Sequence, residues 1–216
     1  MGKVLFAVII LYNAMVMGYA QEKTVKLPRP RLKGLMSVEE ALDKRKSVRN
    51  YQKASISLAD AGQLLWAAQG GTSGRNRTAP SAGATYPMET YLIAGEVQGI
   101  EAGVYHYSVS EHTLRLIKAG DIRPQLQNAC LGQPMITNAP LSILLDAVSE
   151  RTTRRYGDRG IRYIHMEAGH IGQNIYLQAE TLGFGTVAVG AFRDEDVKKI
   201  IPELKMPLYI YPVGKN

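Results

Sequence analysis

The sequence predicts an α+β sandwich in a single domain rather than a doubly wound parallel sheet. Capped helical patterns precede the first strand signals. A hairpin pattern over Gly103–Ile117 and a continuous apolar run at Leu141–Val148 mark paired and doubly covered strands, and one long amphipathic helix follows. Helices and strands therefore alternate without the regular βαβ rhythm of a wound sheet.

The elements can be taken in order. Residues 21–36 contain two prolines and no apolar period, so they are expected to form an extended arm of the kind that wraps a neighbour. Ser37 with Glu40 makes a capping box ahead of Val38, Ala41 and Leu42, and Ser57 with Asp60 opens a second helix that Gly70-Gly71 stops. Between Gly70 and Pro87 lies a long loop of small residues. Thr90–Ala94 is a strand, and Gly103–Val109 with Thr113–Ile117 is a hairpin around Ser110-Glu-His. Asp121–Leu131 is helical with Pro124 near its start. The long helix covers about Ile161 to Leu182, where Ile164, Ala168, Ile171, Ile175, Ala179 and Leu182 recur at three and four residues. Thr186–Ala191 is expected to be a buried strand, Asp194–Ile201 a short helix and Leu208–Val213 the last strand.

Composition narrows the chemistry. With 216 residues, 45% hydrophobic and 21% charged, the chain has the balance of an ordinary globular protein with a substantial core. Lys3, the apolar run Val4–Tyr12 and the small-residue exit Gly18-Tyr-Ala20 have the layout of a signal peptide, so residues 1–20 are expected to direct export with cleavage after Ala20. A retained membrane anchor is the alternative, but Asn13 interrupts the run and it falls short of the roughly 20 residues that span a bilayer. Without residues 1–20, 25 basic residues face 19 acidic ones, a net charge of +6. No helix-turn-helix, finger or aromatic-interleaved basic strand accompanies that charge, so a small phosphorylated ligand is preferred to nucleic acid. The single cysteine, Cys130, excludes an internal disulfide and any cysteine-built metal site.

Two basic stretches stand out, Asp43–Arg49 and Arg151–Arg159. In the first, Arg45, Ser47 and Arg49 alternate where the helical pattern runs out, so on an extended chain they project toward a common side. Arg offers paired planar donors and Ser a neutral one, a set suited to phosphate. Taken alone, the stretch is more simply a solvated helix end whose cations complement the helix dipole. Pro80-Ser-Ala-Gly83 would let backbone come close to a ligand. Gly183-Phe-Gly185 leads from helix into strand, the reverse of a dinucleotide fingerprint, and there is no Walker loop or Gly-x-Ser-x-Gly elbow. His165 and His170 are five apart and fall on different helix faces, so no metal site is expected. With binding groups present and no nucleophile–base pair, a bound organic cofactor is the expected source of reactivity.

In order along the chain, Arg45-Lys-Ser-Val-Arg49, Thr78–Pro87, Gly103-Val-Tyr-His-Tyr107, Glu167-Ala-Gly-His-Ile-Gly-Gln-Asn174 and Val187–Ala191 make the sequence, from about Val38 to Lys215, resemble the nitroreductase superfamily of FMN-dependent oxidoreductases. It is most similar to the branch of SagB-type dehydrogenases and thiazoline oxidases. The resemblance implies a dimeric three-layer α/β/α sandwich with a mainly antiparallel sheet, FMN at the subunit interface, and hydride transfer to or from a small-molecule substrate, with NAD(P)H a candidate donor. It implies that Arg45 and Ser47 contact the phosphate and ribityl region and Arg49 the pyrimidine edge. Pro80, Ser81, Ala82 and Gly83 would reach FMN from the partner subunit, Val189 and Gly190 would face flavin N5, and Lys215 would bind phosphate. It assigns no catalytic residue. Ala84 stands where many relatives have Asn, and Arg155-Tyr156 where thiazoline oxidases have a Lys-Tyr pair. Arg does not lose its proton in proteins, so it does not replace Lys as a base. A peptide azoline dehydrogenase, a non-catalytic flavin-binding protein and a nucleic-acid binder using Arg151–Arg162 are the rival readings.

Overall fold

A computed structural model describes residues 23–74 and 76–216; the export signal read at 1–20 lies outside the described residues. Seven strands form one sheet, β1 (Thr24–Lys26), β2 (Met88–Ala94), β3 (Gly103–Ser108), β4 (Thr113–Ala119), β5 (Leu141–Ala147), β6 (Phe184–Thr186) and β7 (Pro207–Lys215), in the order β1-β4-β3-β2-β5-β7-β6. Each of the six ladders is antiparallel.

Alternation along the central strands builds a core on each face. Leu92, Ile143 and Leu145 point to the side covered by α2 (Leu58–Gln69) and α6 (Arg159–Thr181), while Tyr91, Ile93 and Leu144 point to the side covered by α3 (Arg123–Ala129), α4 (Met135–Asn138) and α7 (Asp194–Ile200). Helices thus flank a mainly antiparallel sheet on both faces, the expected α+β sandwich. Burial of each large aliphatic side chain in these layers contributes about 1.5–3 kcal/mol.

The helix starts follow their caps. Ser37 and Glu40 make the reciprocal box of α1 (Val38–Lys44). Ser57 Oγ accepts from Asp60 N–H, but the Asp60 carboxylate returns to the Ser57 hydroxyl rather than to its backbone, so the second box is only half formed. The arm docks on its own domain as far as Arg31: Val25 pairs with Leu114, Leu27 is buried, and Gln63 bonds both backbone groups of Arg31.

Two further expectations change. The basic stretch Arg151–Arg159 contains a separate helix, α5 (Glu150–Tyr156), and Gly157, at φ +54°, turns the chain into α6. The strand expected at Thr186–Ala191 ends at Thr186. Its register continues, since Thr186 faces Val213 and Val189 faces Ile210, but the ladder lapses between them where Pro212 has no N–H to give.

Candidate functional site

Downstream of α1 the chain extends and runs along the β6–β7 edge. Ser47 forms a parallel bridge with Thr186, Val48 N–H donates to the Thr186 carbonyl at 2.9 Å, and Gln52 N–H donates to the Lys215 carbonyl at 2.9 Å. Gly185 permits this approach, because a Cβ there would lie 2.6 Å from Val48 Cβ. Tyr51 pins the stretch from the other side, its hydroxyl 2.9 Å from the Val48 carbonyl and 3.0 Å from that of Pro212. Burial raises the Tyr51 phenol well above its ordinary value, so it acts as a neutral clamp.

Tyr176 of α6 is the centre of this wall. Its hydroxyl accepts from Ala188 N–H at 2.8 Å and lies 3.0 Å from Ser47 Oγ, while the Arg45 guanidinium sits over its ring at 5.2 Å. With one phenol lone pair used by Ala188, the phenol proton is free for Ser47 Oγ. The Ser47 hydroxyl proton can then turn outward to an anion. Arg45 is half-buried, and Ser47, Arg49, Gly190 and Lys215 are exposed along the same edge, with Val189 buried beneath. The donor set is cations, a hydroxyl and accessible backbone, and among the described residues no ion pair ties a carboxylate to Arg45, Arg49 or Lys215: it fits a phosphate-bearing cofactor.

The structure brings Arg45, Ser47, Val189, Gly190 and Lys215 onto this edge and puts Pro80–Gly83 elsewhere. That loop packs against α5, with Ser81 beside Glu167 of α6. Arg155 Nη1 donates to the Gly83 carbonyl at 3.1 Å, Thr85 Oγ1 lies 2.8 Å from Thr152 Oγ1, and Ser81 Oγ accepts from Tyr86 N–H at 2.9 Å. Beneath it Glu167 is 3% exposed and has an unpartnered Oε1. Burial raises its carboxyl above the usual range, against the lowering effect of the neighbouring Ser81, Gln69 and Arg77. Glu167, beside the loop, and Tyr176, in the wall, are nine residues apart on one helix, roughly 13 Å of rise.

The loop also stores strain. Gly83, Ala84 and Tyr86 all have left-handed φ, at +58°, +52° and +45°. A Cβ on Gly83 would meet Tyr156 Oη at 2.5 Å. Such conformations persist where the surroundings impose them and concentrate at functional sites.

Sequence reasoning missed Tyr176, whose signal was a hydroxyl-bearing aromatic on the apolar stripe of the longest helix, and it quoted Glu167 without a role. Asn174 serves structure, as expected, its Nδ2 donating to the Thr78 carbonyl at 3.2 Å, while Gln173 is exposed and needs no partner. Burial pushes the Cys130 thiol up to about 12, which leaves no thiolate nucleophile at neutral pH.

Comparison with known proteins shows the family. The nitroreductase family model matches residues 42–215. MJ1384 of Methanocaldococcus jannaschii, which carries a nitroreductase name, is 44% identical over 182 residues, 84% of this chain and 92% of that protein. The trifolitoxin-processing protein TfxB of Rhizobium leguminosarum bv. trifolii is 38% identical over 112 residues, 50% of this chain but 30% of its own length. A crystal structure from Anabaena variabilis, described as a nitroreductase, superposes with a TM-score of 0.79 at 29% identity, covering 90% of this chain and 42% of that one. The chain belongs to the nitroreductase family.

Proposed function

We propose that this oxidoreductase of the nitroreductase family binds FMN on the Tyr176-centred edge of the sheet and uses it to oxidise or reduce a small-molecule substrate. The observation that carries the reading is the convergence of Arg45, the outward-facing Ser47 hydroxyl, the exposed backbone at Gly190 and Lys215 on one edge. Bound there, FMN would supply reversible hydride transfer. Arg45, Ser47 and Lys215 would hold its phosphate and ribityl arm, and Arg49 would place a fixed positive charge beside the ring, favouring the reduced cofactor. Within one chain Gly83 hydrogen-bonds to Arg155 of α5 rather than to this wall, in keeping with a homodimer in which each loop closes the partner's site. A small-molecule donor such as NAD(P)H completes the cycle. Export through residues 1–20 belongs to the same proposal, and mass analysis of the mature protein would then find its N-terminus at or near Gln21.

Purified protein tests the cofactor directly. The expected result is oxidised-flavin absorbance near about 450 nm, retained or restored by added FMN. A preparation that stays colourless with FMN in excess rejects the proposal.

Similarity to a trifolitoxin-processing protein favours a second reading, dehydrogenation of peptide azolines. Arg155 weighs against it, because this permanently charged residue is engaged on the Gly83 carbonyl and cannot act as a base. Under the second reading Arg155→Lys creates or raises azoline oxidation, and under the first it does not.

A further inference from the structure

A cleft of about 690 Å³ opens between the loop before Pro80, the start of β2 and the β3–β4 hairpin. It contains none of Arg45, Ser47, Arg49, Pro80–Gly83, Val189, Gly190 or Lys215, and its volume is that of a small-molecule site. We propose that it is a second ligand site, for a small organic carboxylate with an aromatic or apolar body, held by Arg77 and Thr90.

The charge balance in the cleft singles out Arg77. Glu89, the carboxylate on its wall, is fully engaged: Oε2 lies 2.6 Å from His106 Nε2, and Oε1 2.5 Å from Arg151 Nη2. Burial would raise that carboxyl, but His106 and Arg151 outweigh it and hold Glu89 below the usual range. Arg77 has no ion-pair partner among the described residues. One of its N–H groups donates to Gln69 Oε1 at 2.5 Å, and its guanidinium lies over the Tyr86 ring at 4.5 Å, which leaves further in-plane donors. Tyr86 is one of the residues at left-handed φ, so a strained backbone holds the ring that positions this cation. Glu89 and Glu167 act on Arg77 only at longer range, and a bound carboxylate, which takes two parallel N–H donors from a guanidinium, would give it the direct ion pair it lacks among the described residues.

Thr90 gives the second, independent observation. It is 2% exposed, lines the cleft, and its Oγ1 has no partner among the described residues. A buried hydroxyl without a partner costs about 1–3 kcal/mol, which a bound acceptor or donor would relieve. Nearby, His106 spends Nε2 on a carboxylate that only accepts, so Nε2 is the donor and Nδ1 is unpartnered among the described residues. Trp66, Tyr107 and Met88 complete an apolar lining for the body of the ligand.

Trp66 is the only tryptophan of the chain and lines this cleft, so its fluorescence reports occupancy in the protein as purified, with or without flavin. Titration with 3-phenylpropionate should give a saturable change, and the uncharged isostere 3-phenylpropionamide should bind at least about tenfold more weakly. Arg77→Gln should weaken the carboxylate by about tenfold or more and erase the preference over the amide, while Thr90→Val should weaken both ligands severalfold. Equal binding of acid and amide, no saturable response, or a response unchanged in Arg77→Gln would each overturn the site. Should Arg77→Gln fail to fold, the acid–amide preference and Thr90→Val decide it.

Discussion

Tyr176 joins two segments that are distant in sequence, and its hydroxyl is the joint. Removing that oxygen in Tyr176→Phe leaves the Ala188 N–H without its acceptor and frees Ser47. The expected cost is about 1–3 kcal/mol of stability, read by urea denaturation. Under the proposed function FMN affinity falls as well, read by flavin fluorescence. Ser47→Ala should spare stability and weaken FMN by roughly fivefold, the loss of about one hydrogen bond. Glu167 responds to pH. Its carboxyl has a raised value in the fold, so the native state holds its proton more tightly than the unfolded chain does. Stability from this group is present at low pH and is lost as pH rises from the ordinary carboxylate value through the raised one. Glu167→Gln has no such loss, so its stability relative to the parent should climb across that window. A gap that stays constant with pH would show that the carboxyl is not perturbed.

At the scale of an element, α6 separates two glycines that the sequence treats alike. Gly172 faces Tyr211, whose hydroxyl oxygen would lie 2.1 Å from a Cβ, and that ring is 2% exposed. Gly169 is exposed with nothing within 4 Å. Gly172→Ala should therefore destabilise by about 1–3 kcal/mol through overpacking. Gly169→Ala should stabilise by up to about 1 kcal/mol through helix propensity. Parallel chemical denaturation of the two variants would check the contrast. The 3.6-residue apolar rhythm announced this helix almost to its ends, because one stripe faces a continuous core. The strand expected at Thr186–Ala191 was misjudged because its β-branched composition says nothing of Pro212 across the ladder. Likewise α5 was hidden by its basic composition: Thr152 is its buried residue, and a single short helix with a charged face leaves little apolar periodicity.

For the whole molecule, ligand linkage gives the broadest test of the flavin proposal. A ligand at about 100 times its dissociation constant adds roughly 2.7 kcal/mol to the native state, which for a domain of this size raises Tm by roughly 5–10 °C. FMN should produce such a shift in the parent protein and a smaller one in Arg45→Ala, measured by thermal melting. No FMN-dependent shift in the parent would count against the whole site.

The sequence by itself determined the α+β class, the helix caps, the central strand at Leu141–Ala147 and the long helix, because these follow from local chemistry and a periodicity the chain carries within each segment. It also contained the pieces of the candidate site, but it was their resemblance to a known family, and not their spacing, that singled them out, since a basic helix end and a small-residue loop have ordinary structural uses. Only the tertiary structure decided which pieces share a wall. Ser47 meets Tyr176 across 129 positions of chain, and Gly83 meets Arg155 of α5. The same holds for the Arg77 cleft, where Glu89 is paired with His106 and Arg151 while Arg77 has no ion pair among the described residues. Those pairings depend on strand order and register, which long-range packing sets and no local window of sequence contains.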